Sequence, residues 1–159
     1  MDKEVYFLNL GKLIGDLHAL EFSIRAFLVK TPSEKPMGIP YGENIYSYPV
    51  GTELLENEIT NYDTLDELIK KFNNIMTARN RKLLDGSFLI QLRDSLAHGR
   101  ITKFEGSGEI PHLIRFTRPR DGKVKILHNV WMTQDWFNKN IASCEDAIKL
   151  VSHEIKNLH

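Results

Sequence analysis

An arginine and a histidine five residues apart, Arg93 and His98, are the residues of this sequence best suited to chemistry on phosphate. The guanidinium group of arginine is a permanent planar fork of hydrogen-bond donors, and the imidazole of histidine gains or loses a proton near neutral pH. Asp94 directly follows the arginine, and Gly99 directly follows the histidine. Together these groups indicate a site that handles phosphate and moves protons.

The segment around both residues has the apolar spacing of a short helix. Its apolar residues fall on one helical face: Phe88, Leu89, Leu92 and Leu96. We predict a helix over residues 87–98, capped by the Ser87 hydroxyl, with Asp85-Gly86 ending the element before it. Gly99 would end this helix, because glycine reaches the left-handed conformation of a helix C-terminus without strain.

The order of Arg93, the polar Asp94, three further residues and His98 resembles the signature of the HEPN superfamily, the higher eukaryotes and prokaryotes nucleotide-binding domains. The resemblance implies an all-α bundle and, as in many members, a metal-independent ribonuclease of a toxin or phage-defence system. It also implies a homodimer, in which two such helices meet at a two-fold axis. An antitoxin or regulatory protein is the further partner expected in such a system.

Helix geometry makes the second copy important. Five residues rotate a helix by about 500°, which leaves Arg93 and His98 about 140° apart around its axis. They can converge only if the last turn unwinds at Gly99 or if a second copy supplies partners. The resemblance implies the second solution, with two arginines and two histidines lining one cleft.

In such a cleft RNA cleavage needs no metal and no other cofactor. A base removes the proton of a ribose 2′-OH, the oxygen attacks the neighbouring phosphate, and an acid protonates the departing 5′ oxygen. His98 is the candidate acid and base, and Arg93 would stabilise the charge on the phosphoryl oxygens. For Asp94 we expect one of two roles. Its carboxylate either orients His98 or an arginine for the reaction, or it forms a salt bridge with no further role.

Two other classes of function compete with catalysis. The chain could be a non-catalytic HEPN-like module that binds a nucleotide, RNA or a partner protein. It could also be a structural dimerisation domain, in which Arg93 and His98 are ordinary cations that complement the helix dipole. The presence of both residues favours catalysis over the structural role, and nothing in the sequence separates catalysis from binding.

The composition predicts one soluble globular domain over residues 1–159, with 42% hydrophobic and 26% charged residues. The 21 basic and 21 acidic residues cancel, so no overall field draws the chain towards nucleic acid or anionic lipid. The single cysteine, Cys144, excludes an internal disulfide and a thiolate metal cluster. Since no apolar run approaches a membrane span and no leader opens the chain, we expect a cytoplasmic protein without a membrane partner.

Three further segments have helical periodicity. The first is predicted over residues 2–30, with Asp2 as N-cap and Thr31-Pro32 at its end, and its apolar seam is Tyr6, Leu10, Leu13, Leu17, Leu20, Ile24 and Phe27. Beside that seam, His18, Glu21 and Arg25 are interpreted as solvated or interhelical polar contacts rather than metal ligands.

The second helix begins with the capping box Thr64-Leu65-Asp66-Glu67. Its predicted apolar face consists of Leu65, Leu68, Ile69, Phe72, Ile75, Met76 and Leu83. The cluster of Arg79, Arg81 and Lys82 at its C-terminal end is explained by the helix dipole alone. The last helix is predicted from Thr133, and Cys144 on its seam is a small buried hydrophobe.

Residues 31–62 contain four of the six prolines and show no period, which predicts a long loop. Its tyrosines Tyr41, Tyr46 and Tyr48 either stack on bases or, as the favoured interpretation, anchor the loop to the bundle. Residues 52–61 are expected to add a helical turn or two. The loop thus separates the first helix from the second.

Between residues 99 and 132 the period changes to two, and Asp121-Gly122 between the alternating runs predicts a β-hairpin. Residues 101–104 are a candidate third strand. The sequence therefore predicts a mainly α fold, a four-helix bundle of HEPN type with a β-hairpin inserted before the last helix.

The segment 99–125 is locally basic, with seven basic residues (Arg100, Lys103, Arg115, Arg118, Arg120, Lys123 and Lys125) against three acidic ones (Glu105, Glu109 and Asp121). Solvated strand faces often have this composition, but such a patch also suits phosphate. We predict that RNA contacts come from five of these residues: Arg100, Arg115, Arg118, Lys123 and Lys125.

Overall fold

The computed structural model describes residues 1–31, 47–102 and 110–158. Within these ranges the chain is mainly helical, as predicted, and carries a small antiparallel sheet. The helices are α1 (Lys3–Lys30), α2 (Leu65–Ala78), α3 (Gly86–His98) and α4 (Gln134–Lys156), and the strands are β1 (Arg100–Thr102), β2 (His112–Phe116) and β3 (Ile126–Trp131). No helix in the described ranges is both long enough and apolar enough to cross a membrane.

The predictions for Tyr41, Tyr46 and the proline-rich part of the long loop lie outside the described residues, as do those for Lys103 and Phe104. In the described part of the loop, Tyr48 is partly exposed. The helical turns expected over residues 52–61 reduce to one turn, in which the Asn61 N–H donates to the Asn57 carbonyl oxygen at 2.8 Å.

The chain divides into two compact units, and helices α1 and α4 each contribute to both. Unit 1 comprises Met1–Ala19 and Asp85–Ala147, and unit 2 comprises Leu20–Leu84 and Ile148–His159. The predicted seam of α1 is confirmed in both, since all its members but the half-buried Leu10 are buried.

Unit 1 packs α3 and β2 with the first part of α1 and of α4. Its buried apolar residues are Tyr6, Leu13, Leu17, Leu89, Leu92, Leu113, Met132, Phe137, Ile141, Cys144 and Ala147. Helix α4 begins as predicted, since the Thr133 hydroxyl accepts the Trp136 N–H at 3.1 Å. Burial raises the pKa of the Cys144 thiol to about 11, which agrees with its prediction as a small buried hydrophobe.

Both ends of α3 differ from the predicted caps. The N-cap is Asp85, whose carboxylate accepts the Phe88 N–H at 3.3 Å, whereas the predicted cap Ser87 donates its hydroxyl to Asp85. A carboxylate at this position also complements the helix dipole, so Asp85 begins α3 instead of ending the preceding element. Gly99 has an extended backbone (φ −75°, ψ 169°), so the predicted left-handed cap is wrong.

Close packing, rather than backbone freedom, explains the glycine at position 99. A Cβ on Gly99 would lie 2.6 Å from Leu113 Cδ1 and 3.2 Å from the Ile114 carbonyl oxygen, and it would collide with the Ser95 carbonyl oxygen. The missing side chain therefore lets the end of α3 approach β2. This contact positions His98 and Arg100 on either side of the glycine.

We expect Gly99→Ala to lower the free energy of unfolding by about 3 kcal/mol, because two of the three clashing atoms belong to the backbone. Urea denaturation measures this change. Gly11→Ala on α1 is the matched control, since a methyl group at position 11 would have no atom within 4 Å and alanine favours a helix by up to about 1 kcal/mol. Equal stability of Gly99→Ala and wild type would contradict the packing argument.

The sheet has three strands in the order β1-β2-β3, all antiparallel, so the predicted hairpin is joined by the candidate third strand. Asp121 and Gly122 both have positive φ (51° and 70°), as the predicted tight hairpin turn requires. A bulge shifts the register, because Arg115 pairs with His128 whereas the next residue, Phe116, pairs with Ile126. Ile126 therefore shares a sheet face with Phe116.

In unit 2 the predicted capping box of α2 is confirmed, with both Thr64 and Glu67 contributing their side chains. The helix ends at Ala78 in a Schellman motif, in which Asn80 takes a positive φ and the Arg81 N–H donates to the Met76 carbonyl oxygen at 2.9 Å. Leu83 therefore lies beyond the helix and is 47% exposed, contrary to its predicted place on the apolar face.

Two arginines of unit 2 have specific partners. Arg81 forms an ion pair with the buried Glu154 carboxylate at 3.1 Å. The helix dipole alone therefore does not account for the arginine at this position. Arg25 is 8% exposed and binds the Glu21 carboxylate together with oxygens of the segment 58–63. This confirms a polar contact for Glu21 and Arg25, and His18 is exposed.

Candidate functional site

The carboxylate of Asp94 binds two arginines of unit 1. Arg93 Nη1 lies 3.0 Å from Asp94 Oδ1, and Arg115 Nη2 on β2 lies 3.0 Å from Asp94 Oδ2. All three side chains are between one fifth and one third exposed. Of the predicted roles for Asp94, these contacts favour the pairing with arginine over the orientation of His98.

His98 is the last residue of α3 and is exposed. Within the described ranges its ring makes no hydrogen bond or ion pair. His98 ends the helix because the next residue, Gly99, is no longer helical and β1 begins at Arg100. An imidazole held at a helix end with both ring nitrogens uncommitted can exchange protons with a bound substrate.

Helix α3 stays regular to its end. The Gly99 N–H donates to the Ser95 carbonyl oxygen at 2.8 Å, which closes the last turn around His98. The last turn therefore does not unwind, and Arg93 and His98 keep the separation of about 140° that helix geometry dictates. One protomer does not bring the two groups together.

A second polar cluster lies on the side of the sheet that packs against α3. Gln91 Nε2 is 3.1 Å from His128 Nδ1, and His128 stands directly across from Arg115 in the β2–β3 pair. The His128 Nε2 atom and the hydroxyl of the fully buried Ser95 have no hydrogen-bond partner among the described residues. Burial, followed by the positive charge of Arg115, lowers the pKa of His128 below its ordinary value.

His128 should therefore make stability depend on pH. The unfolded chain binds a proton at His128 near pH 6.5, above the folded pKa, so stability falls as the pH drops from about 6.5 through the folded pKa. We expect the difference in unfolding free energy between wild type and His128→Gln to be constant above about pH 7 and to shift against wild type towards pH 5. Urea denaturation across this range measures it, and a difference independent of pH would contradict the assignment.

Three of the five predicted RNA contacts lie together at the hairpin end of the sheet. A cavity of about 650 Å³ there is lined by Thr117, Arg118, Arg120, Lys123, Lys125 and Leu127. We call it the basic cavity, because four of its six lining residues are cationic and none is acidic. The two chain segments that line the cavity are joined by a backbone hydrogen bond, in which the Thr117 N–H donates to the Lys125 carbonyl oxygen at 2.9 Å.

The other two predicted contacts lie elsewhere. Arg115 is held by Asp94 on the α3 side of the sheet. Arg100 is exposed, and its guanidinium carbon lies 5.4 Å from the centroid of the Phe116 ring. The structure adds Arg120 to the basic residues at the hairpin end, which the turn around Asp121-Gly122 brings across from Lys123.

Sequence reasoning missed the face of the sheet that points away from α3. This face, here called the aromatic face, carries Arg100, Thr102, His112, Ile114, Phe116, Ile126, Asn129 and Trp131. The His112 and Trp131 rings are stacked, with centroids 4.3 Å apart and an interplanar angle of 17°. The alternation of His112, Ile114 and Phe116 in the sequence indicates that these three side chains share one face of a strand. The pairing of His112 with Trp131 depends on the strand register, which the sequence does not reveal.

Among the described residues, no group of three or more His, Cys, Asp or Glu side chains is arranged to hold a metal ion. Comparison of the chain with family models, with curated proteins and with solved structures finds no significant match.

Proposed function

We propose that this protein is a metal-independent endoribonuclease of HEPN type, in a toxin or phage-defence role, whose active site is completed by a second copy of the chain. The observation that carries the proposal is His98, which is exposed and has no bonded partner among the described residues, at the end of the same regular helix that holds Arg93. These are the residues that the motif resemblance singles out. Their separation around α3 calls for the two-fold dimer, which places Arg93 of one protomer beside His98 of the partner subunit.

In this dimer each group has a defined task. In each of the two sites, one His98 takes the proton of the ribose 2′-OH, whose oxygen attacks the neighbouring phosphorus, and the same His98, now protonated, gives a proton to the departing 5′ oxygen. The Arg93 guanidinium stabilises the negative charge on the phosphoryl oxygens. Asp94 acts as a positioning residue, because it restrains Arg93 and ties it to Arg115 on the sheet.

An exposed apolar strip on α1 supports self-association. Phe7, Leu8 and Ile14, all in unit 1, are between 40% and 73% exposed. Leu8 lies on the side of α1 opposite its buried seam, and Phe7 and Ile14 lie on the flank of the helix. Apolar patches of this kind commonly mark protein–protein contacts. Sedimentation velocity at micromolar concentration should accordingly give a dimer.

The test of the proposal compares a labelled RNA with its 2′-deoxy counterpart, each incubated with the protein in excess EDTA. We expect the RNA to be cut and its products to end in cyclic phosphates, because the attacking group is the substrate's own hydroxyl. The deoxy strand lacks this hydroxyl and should stay intact. Cleavage of the deoxy strand would refute the mechanism, and so would an uncut RNA across a panel of sequences.

A non-catalytic module that binds RNA is the second candidate, and the basic cavity favours it. Four cations around one concavity can hold phosphates without any chemistry. In this case the Arg93–Asp94–Arg115 cluster would serve only to fasten α3 to the sheet. A shift of the same labelled RNA on a native gel, with no cleavage in the EDTA assay, would identify this candidate.

A further inference from the structure

Two sets of backbone hydrogen bonds fix the hairpin around the basic cavity. Next to the sheet, the Thr117 N–H donates to the Lys125 carbonyl oxygen, and the Lys125 N–H donates to the Thr117 hydroxyl at 3.0 Å. Next to the turn, Arg120 and Lys123 exchange two backbone hydrogen bonds of 2.9 Å each. The side chains of the cavity therefore project from a backbone that is already ordered, which lowers the entropy lost when a ligand binds.

The cavity lies on the side of the sheet that packs against α3. Thr117 follows Phe116 along the strand direction, so its side chain points to the opposite side from the aromatic face and shares the side of Arg115. Asp94 on this side already binds Arg93 and Arg115 through its two carboxylate oxygens. These oxygens are therefore not available to the cations of the cavity.

The cations of the cavity have no carboxylate partner among the described residues. All four of them are exposed, and none forms an ion pair there: Arg118, Arg120, Lys123 and Lys125. Asp121 lies in the turn between them but does not line the cavity. Like charges around one concavity repel each other, and a bound polyanion relieves this repulsion. The charge pattern thus indicates a site for a small anion of high charge.

The size of the cavity decides which polyanion fits best. A volume of about 650 Å³ corresponds to a sphere about 11 Å across, which is typical of a small-molecule site. An RNA backbone carries one charge per nucleotide, so this span takes in only about two or three of its phosphates. A nucleoside triphosphate concentrates about four negative charges in one short chain, since its terminal phosphate alone carries close to two. The triphosphate therefore matches the four cations more closely than the RNA backbone does.

Two other side chains of the cavity also suit a nucleotide. The Thr117 hydroxyl accepts the Lys125 N–H, which leaves its own hydrogen able to donate to a phosphate oxygen. Leu127 is 48% exposed and adds an apolar surface on which a ribose or a base can lie.

We propose that the basic cavity binds the 5′-triphosphate of a nucleotide, which is either free or at the 5′ end of an RNA strand. Its cations take the charge-neutralising role that Mg²⁺ commonly has at nucleotide phosphates, because no carboxylate lines the cavity among the described residues to hold that ion. This binding goes beyond the proposed cleavage and involves neither Arg93 nor His98.

Isothermal titration calorimetry of the wild-type protein with ATP, ADP and AMP in EDTA tests the proposal. We expect the affinity to rise about fivefold with each added phosphate, which corresponds to about 1 kcal/mol for one more exposed ion pair. Excess Mg²⁺ should lower the affinity for ATP, because it neutralises part of the charge that the cations bind. Since this binding is measured without RNA, failure of the site and failure of cleavage are separate results.

A double variant assigns the binding to the cavity. Lys123→Ala with Lys125→Ala should weaken ATP binding by about 25-fold, because two such contacts are lost. Lys3→Ala with Lys139→Ala is the matched control, since it removes the same two charges from exposed positions of unit 1 that do not line the cavity. The control should leave the affinity unchanged.

Two RNAs of one sequence, one with a 5′-triphosphate and one with a 5′-hydroxyl, distinguish the two sources of the ligand. Each competes with a fluorescent ATP for the His98→Ala protein, which leaves the strand uncut. Displacement by the triphosphorylated RNA at lower concentration than by unlabelled ATP identifies the RNA end, and displacement only at higher concentration identifies the free nucleotide.

Four results would overturn the proposal. The first two are the absence of ATP binding at about 1 mM and equal affinity for ATP, ADP and AMP. The third is an equal loss of affinity in the two double variants, because net charge and not the cavity would then attract ATP. The fourth is displacement of ATP by the 5′-hydroxyl RNA as effectively as by the triphosphorylated RNA, because backbone phosphates would then fill the cavity.

Discussion

His98→Ala should abolish RNA cleavage, with the rate falling by about 10²- to 10⁴-fold, the range that general acid–base groups contribute. The side chain is exposed at the end of α3 and has no bonded partner within the described ranges, so its truncation removes few packing contacts. The free energy of unfolding should therefore change by no more than about 1 kcal/mol. Gel assays of a labelled RNA in EDTA measure the first quantity, and urea denaturation measures the second.

A matched control comes from α4. His153 is also exposed in the last turn of its helix, so His153→Ala makes the same chemical change in the same local setting. We expect it to cleave RNA at the wild-type rate. Full activity of His98→Ala, or equal losses in the two variants, would remove His98 from the mechanism.

Arg93→Ala should lower the cleavage rate by about 10²- to 10³-fold, because a donor aimed at the developing charge is lost. Mixing this protein with His98→Ala then tests the composite site. If Arg93 of one protomer works with His98 of its partner, half of the randomly mixed dimers keep one intact site of two, so about a quarter of wild-type activity should return. Two inactive parents that stay inactive after subunit exchange would exclude a site shared in this way.

The features that sequence reasoning predicted correctly depend on local rules. The capping box at Thr64 involves only residues three apart, and the positive φ values at Asp121 and Gly122 follow from turn chemistry alone. The buried seam of α1 follows from the helical period. These signals are short-range, so they can be read from neighbouring residues without knowing the tertiary contacts.

The features that it missed depend on tertiary contacts. Gly99 is required by atoms of β2, which no pattern around residue 99 reveals. A strict alternation along the strand would assign His128 and Ile126 to the same side of the sheet. The bulge places Ile126 opposite Phe116 and so changes which residues share a face. In the candidate site, the spacing of Arg93 and His98 singled them out as candidates and their role stays a prediction, whereas the pairing of Asp94 with Arg115 required the structure.

Arg25→Met should produce the largest loss of stability, about 3–5 kcal/mol, because it removes one partner of a buried polar network. Arg25 Nη1 donates to the Glu58 carbonyl oxygen at 3.0 Å and to Asn61 Oδ1 at 2.7 Å, and Nη2 donates to the Asp63 carbonyl oxygen at 2.7 Å. Methionine fills a similar volume but donates to none of them. Urea denaturation measures the loss.

The conservative replacement separates charge from shape. A lysine at position 25 keeps the positive charge beside Glu21, but its compact ammonium group cannot reach three backbone carbonyl oxygens in the way a planar fork can. We expect Arg25→Lys to recover only part of the stability, leaving a loss of about 2 kcal/mol. The exposed Arg118→Met is the control and should stay within about 0.5 kcal/mol of wild type.

The damage should begin at the start of α2. The segment that Arg25 holds, residues 58–63, leads directly into the Thr64 cap, so its release removes the support of the first helical turn. In Arg25→Met, amide hydrogen exchange of residues 65–68 should accelerate more than that of α3, whose cap at Asp85 involves none of these contacts. Uniform acceleration throughout the chain would indicate that Arg25 supports global stability instead of this loop.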